Sequence, residues 1–142
     1  MDNSLSLLGI AKKAGKLQIG DESVASAARN KKARVILTAQ DASPGSKRHA
    51  DSYASIGNTL HVRLPYKKYD LGGVIGRGSP GILAITDIGI ASSFVTKLAA
   101  IYPDEYGDAS DILGKKSTKM LLRRREALAH ARNIRTGKRR TK

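Results

Sequence analysis

Residues 12–37 read KKAGKLQIGDESVASAARNKKARVIL, and the punctuation of this stretch decides the fold. Ala14-Gly15 stops a first helix, because glycine tolerates the left-handed conformation that helix ends prefer. Gly20-Asp21 starts the next one, with Asp21 expected as its N-cap, accepting a backbone N–H. Ala25, Ala27 and Ala28 keep this second helix thin enough to lie close against a sheet. Val35-Ile36-Leu37 is an apolar, largely β-branched run suited to a strand covered on both faces. Lys12, Lys13, Lys16, Arg29, Lys31 and Lys32 are expected to ring the solvent-facing N-terminus of the second helix. Such a surface suits an anion.

Outward from this stretch the elements alternate. Upstream, Ser4 is expected to cap a helix to about Ala14, buried through either Leu5, Leu8 and Ala11 or Leu7, Ile10 and Ala14. Downstream, Asp41 or Ser43 caps a third helix, Pro44 suits its first turn, and Gly57-Asn58 ends it. Leu60 to Leu64 alternates cleanly and predicts a strand with Leu60, Val62 and Leu64 inward. A short helix from Lys68 to about Ile75, a loop from Gly76 to Gly81 and a buried strand over Ile82–Ile85 follow. The spacing of Ala91, Phe94, Leu98 and Ile101 predicts a fifth helix over Ile88–Tyr102. Strands alternating with helices imply an α/β fold, a three-layer α/β/α sandwich around a small mixed sheet of four strands.

Beyond it, residues 103–114 read as a polar linker, and Ser117 is expected to cap a last helix to about Asn133. Leu121, Leu128 and Ala131 form its expected apolar seam, with Arg123, Arg124, Arg125 and Arg132 over the rest. Residues 137–142 are expected to be disordered on their own. The division is therefore a folded body at 1–102, a linker at 103–114 and a basic helical or disordered tail at 115–142.

Charge is the strongest signal in the composition. The 142 residues hold 26 Lys and Arg against 12 Asp and Glu, a net charge of +14. Residues 115–142 carry 12 of those cations and one acid, Glu126, so the tail holds most of the field. A nucleic acid is the polyanion that best fits, because neutralised phosphates release counterions. The tail has no aromatic anchor for an acidic membrane, and no apolar run approaches the length of a membrane span. The first residues lack the pattern of a signal peptide, and a cytoplasmic protein is the expectation. With no cysteine, thiol chemistry and disulfides are excluded.

No catalytic site is visible. Gly76-Arg77-Gly78-Ser79-Pro80-Gly81 matches the letters of a dinucleotide fingerprint, but a helix precedes it and a strand follows, the reverse of what that chemistry needs. His49, His61 and His130 sit one per element, off metal-ligand spacing, and are expected at the surface. Asp41, Asp70 and Asp87 fall at element ends, where capping accounts for them. Neither a metal nor a cofactor is expected.

Taken together, Leu8 to Leu17, Ile19-Gly20, Val35 to Asp41, Leu71-Gly72, Ile75-Gly76 and Gly81 to Asp87 resemble the ribosomal protein L-seven-Ae/L-thirty-e family over residues 4–102, its small bacterial ribosomal-protein-like members above all. The resemblance implies a non-catalytic α/β/α sandwich that binds kink-turn or related bent RNA. It implies recognition by a Gly-x-Asn-Glu-x-x-Lys motif at the start of the second helix, which here falls on Gly20, Glu22, Ser23 and Ser26, with only Gly20 retained. A charged donor to a guanine edge, worth ~1–3 kcal/mol, is thereby absent. Glu22 can still accept from a base amino group. A second contact is implied for the loop Gly76 to Ile82, with Arg77 on phosphate and Pro80 or Ile82 against a base.

The expected RNA-binding set is thus Lys12, Lys13, Lys16, Gly20, Asp21, Glu22, Ser23, Ser26, Arg29, Asp41, Arg77, Gly78, Ser79, Pro80, Ile82, Arg123, Arg124 and Arg125. The partner is structured RNA, kink-turn-like or ribosomal, with the tail neutralising phosphates. Two alternatives stay open: a protein-interaction module, and a relative of the substrate-binding domain of RNA methyltransferases acting with a partner chain. The oligomeric state is not legible.

Overall fold

The computed structural model describes residues 3–76, 78 and 80–136. The elements run α1 (Asn3–Lys13), β1 (Leu17–Ile19), α2 (Asp21–Arg29), β2 (Val35–Thr38), α3 (Pro44–Gly57), β3 (His61–Arg63), α4 (Lys68–Ile75), β4 (Ile82–Ile85), α5 (Ile88–Ile101) and α6 (Pro103–Thr136). The strands form one mixed sheet in the order β1-β4-β2-β3. β4 is antiparallel to both neighbours, whereas β2 and β3 are parallel and joined through α3.

The apolar runs of the two central strands are sorted by the two-residue period of a strand. Val35 and Leu37 of β2 and Leu83 and Ile85 of β4 face one layer, with Leu5, Leu8 and Ala11 of α1, Leu71 and Ile75 of α4, and Phe94 and Leu98 of α5. Ile36, Ile82 and Ala84 face the other, with Val24, Ala27 and Ala28 of α2 and Ala50 and Ala54 of α3. The expected three-layer sandwich is the fold. Small residues bring α2 and α3 close: a methyl on Gly57 would lie 3.2 Å from the Ala28 carbonyl oxygen. Of the two stripes open for α1, Leu5, Leu8 and Ala11 is the buried one, and Ile10 is exposed.

Several expectations need correction. β1 was hidden between two helices because three residues carry too little pattern to show a period. Ser4 lies inside α1 with its hydroxyl buried, bonded to that of Tyr66. Residues 103–114 are not a linker but the first turns of α6, which runs through Ser117 without a break. Only Tyr102 separates it from α5, and Pro103 occupies the position where a helix tolerates proline best. Tyr106 and Leu113 are buried in the core, and the Tyr106 hydroxyl donates to the Arg63 carbonyl at 2.6 Å. The packed face of α6 is Tyr106, Ala109, Leu113 and Met120, so the seam read at Leu121, Leu128 and Ala131 points the wrong way. Leu121 is 54% and Leu128 67% exposed. Beyond Met120, every side chain through Ala131 is exposed. The expected disorder of 137–142 lies outside the described residues.

Candidate nucleic-acid interface

The strand directions decide where a ligand can meet the backbone. β1, β2 and β3 all end at the same edge of the sheet, where β4 begins. The helices that follow them, α2, α3 and α4, therefore start at this edge, and the loop 76–81 enters it. Three helix N-termini face this edge, each with a partial positive charge.

The loops of this edge are tied to one another. Gly20 N–H donates to the Ile82 carbonyl at 3.1 Å, and Ala39 N–H to that of Gly81 at 3.0 Å. Gln40 N–H donates to the Tyr66 carbonyl at 2.7 Å, and Lys68 N–H to Asp41 Oδ1 at 2.8 Å. The start of α2 and the loop after α4, far apart in sequence, thus form one surface.

At the start of α2 the cap is Gly20, not Asp21. Gly20 has φ 93° and ψ 160°, a region open in practice only to glycine, and no side chain caps the helix. Asp21 is the first helical residue, and its Oδ2 lies 3.0 Å from His49 Nδ1 on α3. Tyr53, one turn further along α3, has its pKa raised first by a hydrogen bond to Asp21, then by burial and by the carboxylate's charge; Arg29 acts the other way. Asp21 is therefore held by α3. Glu22, Ser26 and Arg29 follow at helical spacing and are exposed, while Ser23 is half-buried.

The ring of cations expected around this start is not assembled. Lys16 sits at the far end of β1, its carbonyl accepting from Thr86 N–H at 2.9 Å. Lys31 and Lys32 follow the opposite end of α2, ~14 Å away along the helix axis. Lys12 Nζ donates to the Ile75 carbonyl at 2.6 Å, and Lys31 Nζ to that of Ile56. Each ammonium meets the last turn of a helix, where the dipole is negative. Lys13 is exposed beside Lys12. Local sequence could not show which lysines face a neighbouring helix end.

The rest of the expected set, with the carboxylates read as caps and the histidine read at the surface, divides as follows. Asp41 caps α4, Asp70 accepts from Lys67 N–H at 3.3 Å, and Asp87 accepts from Ile90 N–H at 2.9 Å, so capping accounts for all three. Ile82 is buried against α2 and α3 and cannot pack on a base. Gly78 is exposed and Pro80 partly so; Arg77 and Ser79 lie outside the described residues. Arg123, Arg124 and Arg125 are on the exposed part of α6. His61 is not a surface residue: its side chain is 7% exposed, between Thr38 Oγ1 at 2.8 Å and Asp51 Oδ1 at 2.6 Å. Among the described residues no group of three or more His, Asp or Glu could hold a metal ion.

Two residues at this edge were missed. Tyr69, in the first turn of α4, is 85% exposed, and the Lys68 side chain lies 3.8 Å from where a Cβ on Gly81 would stand. Their signal was the run Lys67-Lys68-Tyr69 directly after a strand and a proline, an aromatic among cations at a helix start.

RNA-binding protein YlxQ of Bacillus subtilis is 30% identical over 96 residues, spanning 65% of this chain and 91% of that protein. This chain belongs to the family of YlxQ, the L-seven-Ae family. No family model matches it. Among solved structures, a protein of unknown function from Bacillus halodurans superposes with a TM-score of 0.63 at 23% identity, covering 68% of this chain and 97% of that one. The Giardia lamblia 15.5kD RNA binding protein does so with 0.56 at 18% identity, covering 68% and 84%. The two superpositions concern the fold alone. Each of the three comparisons covers about two thirds of this chain.

Proposed function

We propose that this chain is a non-catalytic RNA-binding protein whose sandwich reads structured RNA, kink-turn-like or ribosomal, at the edge formed by Gly20–Ser26 and the loop 76–82. The observation that carries this reading is the hydrogen-bonded union of those two segments beside three helix N-termini. Backbone N–H groups and Glu22, Ser23 and Ser26 offer donors and acceptors to base edges, and Tyr69 offers a stacking face. An RNA bend or an extruded base fits one compact edge better than a straight duplex does. The exposed half of α6 adds affinity by neutralising phosphates, which positions the RNA without reading its sequence.

The test is binding to a kink-turn RNA and to a straight duplex across a salt series, for the full chain and for residues 1–122. Ending the chain at 102 would remove the buried Tyr106 and Leu113, so 122 is the sound boundary. Preference for the kink-turn by both forms, with a steeper salt slope for the full chain, is the expected result. Equal binding of both RNAs by the full chain, and none by residues 1–122, overturns recognition at the loop edge.

A further inference from the structure

The opposite end of the sheet holds a second feature. A cleft of about 380 Å³ opens where α2 and α3 end, β2 begins and α6 passes. Five cations line it: Lys31 and Arg34 from the sandwich, and Lys116, Lys119 and Arg123 from one face of α6. No carboxylate lines it. Its apolar side chains are Ala33, Ile88 and Met120.

The field there exceeds what the fold itself requires. Two helix C-termini meet the cleft, together worth about one negative charge. Lys31 already answers one of them through the Ile56 carbonyl. With the N-terminus of α5 at Ile88 and its cap Asp87 counted as well, roughly three to four positive charges are left over. Among the described residues the ion pairs are His49–Asp21 and His61–Asp51, so none of the five is neutralised by an acid. Asp87, next to Ile88, has its Oδ2 engaged by Ile90 N–H in capping α5. Like charges at Lys116, Lys119 and Arg123 lie one turn apart and repel one another, a cost an anion would relieve. Lys116 and Arg123 are ~10 Å apart along the helix axis, so one sugar-phosphate backbone laid along α6 can meet both.

We propose that this cleft is a second RNA site, one that takes consecutive phosphodiesters between the sandwich and α6, at the end of the sheet remote from the loops. The inference rests on the RNA-binding reading and extends it. An RNA held at the loop edge reaches the cleft with a flanking arm that runs over the layer of α2 and α3, ~14–21 Å for helices of these lengths.

The chain has no cysteine, so single introduced thiols carry a photo-cross-linker to defined points. Ser23→Cys places one at the loop edge, and Lys119→Cys places one in the cleft while leaving four of its five cations. The probes are a kink-turn RNA with long duplex arms and purified ribosomal RNA. Cross-links from both positions, at different nucleotides of one RNA, are the expected result. Cross-linking from Ser23→Cys alone overturns the cleft and leaves the loop reading standing. Cross-linking from neither position overturns both. Charge-matched pairs give the second measurement. Lys116→Gln/Arg123→Gln should lower the slope of log affinity against log salt by ~1.4–1.8, two phosphate contacts. Lys115→Gln/Arg125→Gln, on other faces of α6, should lower it by less than half as much. Equal losses would mean that α6 acts only through its total charge.

Discussion

Leu113→Ala tests whether α6 is part of the folded body. Leu113 is fully buried among the core side chains, in a segment whose composition looks like a linker. Truncation to alanine removes three carbons, ~2.4 kcal/mol of transfer free energy, and the cavity left behind raises the loss to ~3 kcal/mol. With a urea m-value near ~2 kcal/mol/M, the unfolding midpoint should fall by ~1.5 M and the slope should stay unchanged. Ile112→Ala is the control on the same turn; its side chain is 41% exposed, and its cost should stay below ~1 kcal/mol. Urea unfolding followed by circular dichroism, at fixed salt and pH, measures both. Equal, small shifts for the two variants would refute the docking of residues 103–114, and the basic cleft would lose one wall with it.

Tyr106 predicts an alkaline transition. Burial first, then Glu105 and Tyr102, push its pKa up to about 12 from 10.0. Folded and unfolded chains are both protonated below pH 10, where its contribution is complete; it is lost as pH rises through 12, since the unfolded chain ionises first. The stability difference between the parent and Tyr106→Phe should therefore shrink across that window in urea titrations at stepped pH. Gly20→Ala meets no neighbour within 4 Å, so its cost is backbone strain alone, ~1–3 kcal/mol. It should also weaken RNA binding by re-aiming the start of α2, as read by fluorescence anisotropy. Tyr69→Ala should leave the unfolding midpoint unchanged, because the ring is exposed, and should cost ~1–3 kcal/mol of RNA affinity if a base stacks there.

The sandwich was legible because its signals are local and agree with one another. Gly15 and Asn58 end helices, Ser43-Pro44 starts one, and Val35–Leu37 and Ile82–Ile85 are apolar runs short enough to be strands. What escaped was non-local. Residues 103–114 look like a linker because a docked helix buries only one narrow face, here Tyr106, Ala109 and Leu113, and leaves its acids in water. His61 alternates outward on its strand as read, yet α3 brings Asp51 over it. The cations of the site read least well of all. Lys12 and Lys31 are spaced like surface lysines, and only the packing of α1 on α4 and of α2 on α3 turns them toward carbonyl ends.

That redistribution separates two tasks. At the loop edge two of the three helix N-termini are matched by acids, α2 by Asp21 and Glu22 and α4 by Asp70 and by Asp41 from the loop before α3, while the hydroxyl of Ser43 caps α3. These carboxylates offset the partial positive charge of the helix ends, so that hydrogen-bonding groups and shape stand at the edge beside the two cations Lys67 and Lys68. The larger cluster of uncompensated cations stands at the other end of the sheet and along α6. Fixed polar geometry suits discrimination between RNAs, and mobile counterion exchange suits affinity for any of them. If the two tasks are divided in this way, substitutions at Gly20–Ser26 should change which RNA is preferred with little effect on the salt slope. Substitutions at Lys116, Lys119 or Arg123 should flatten the slope and leave the preference intact. A salt slope that falls equally for both groups of variants would show that the loop edge, acids included, binds through charge after all.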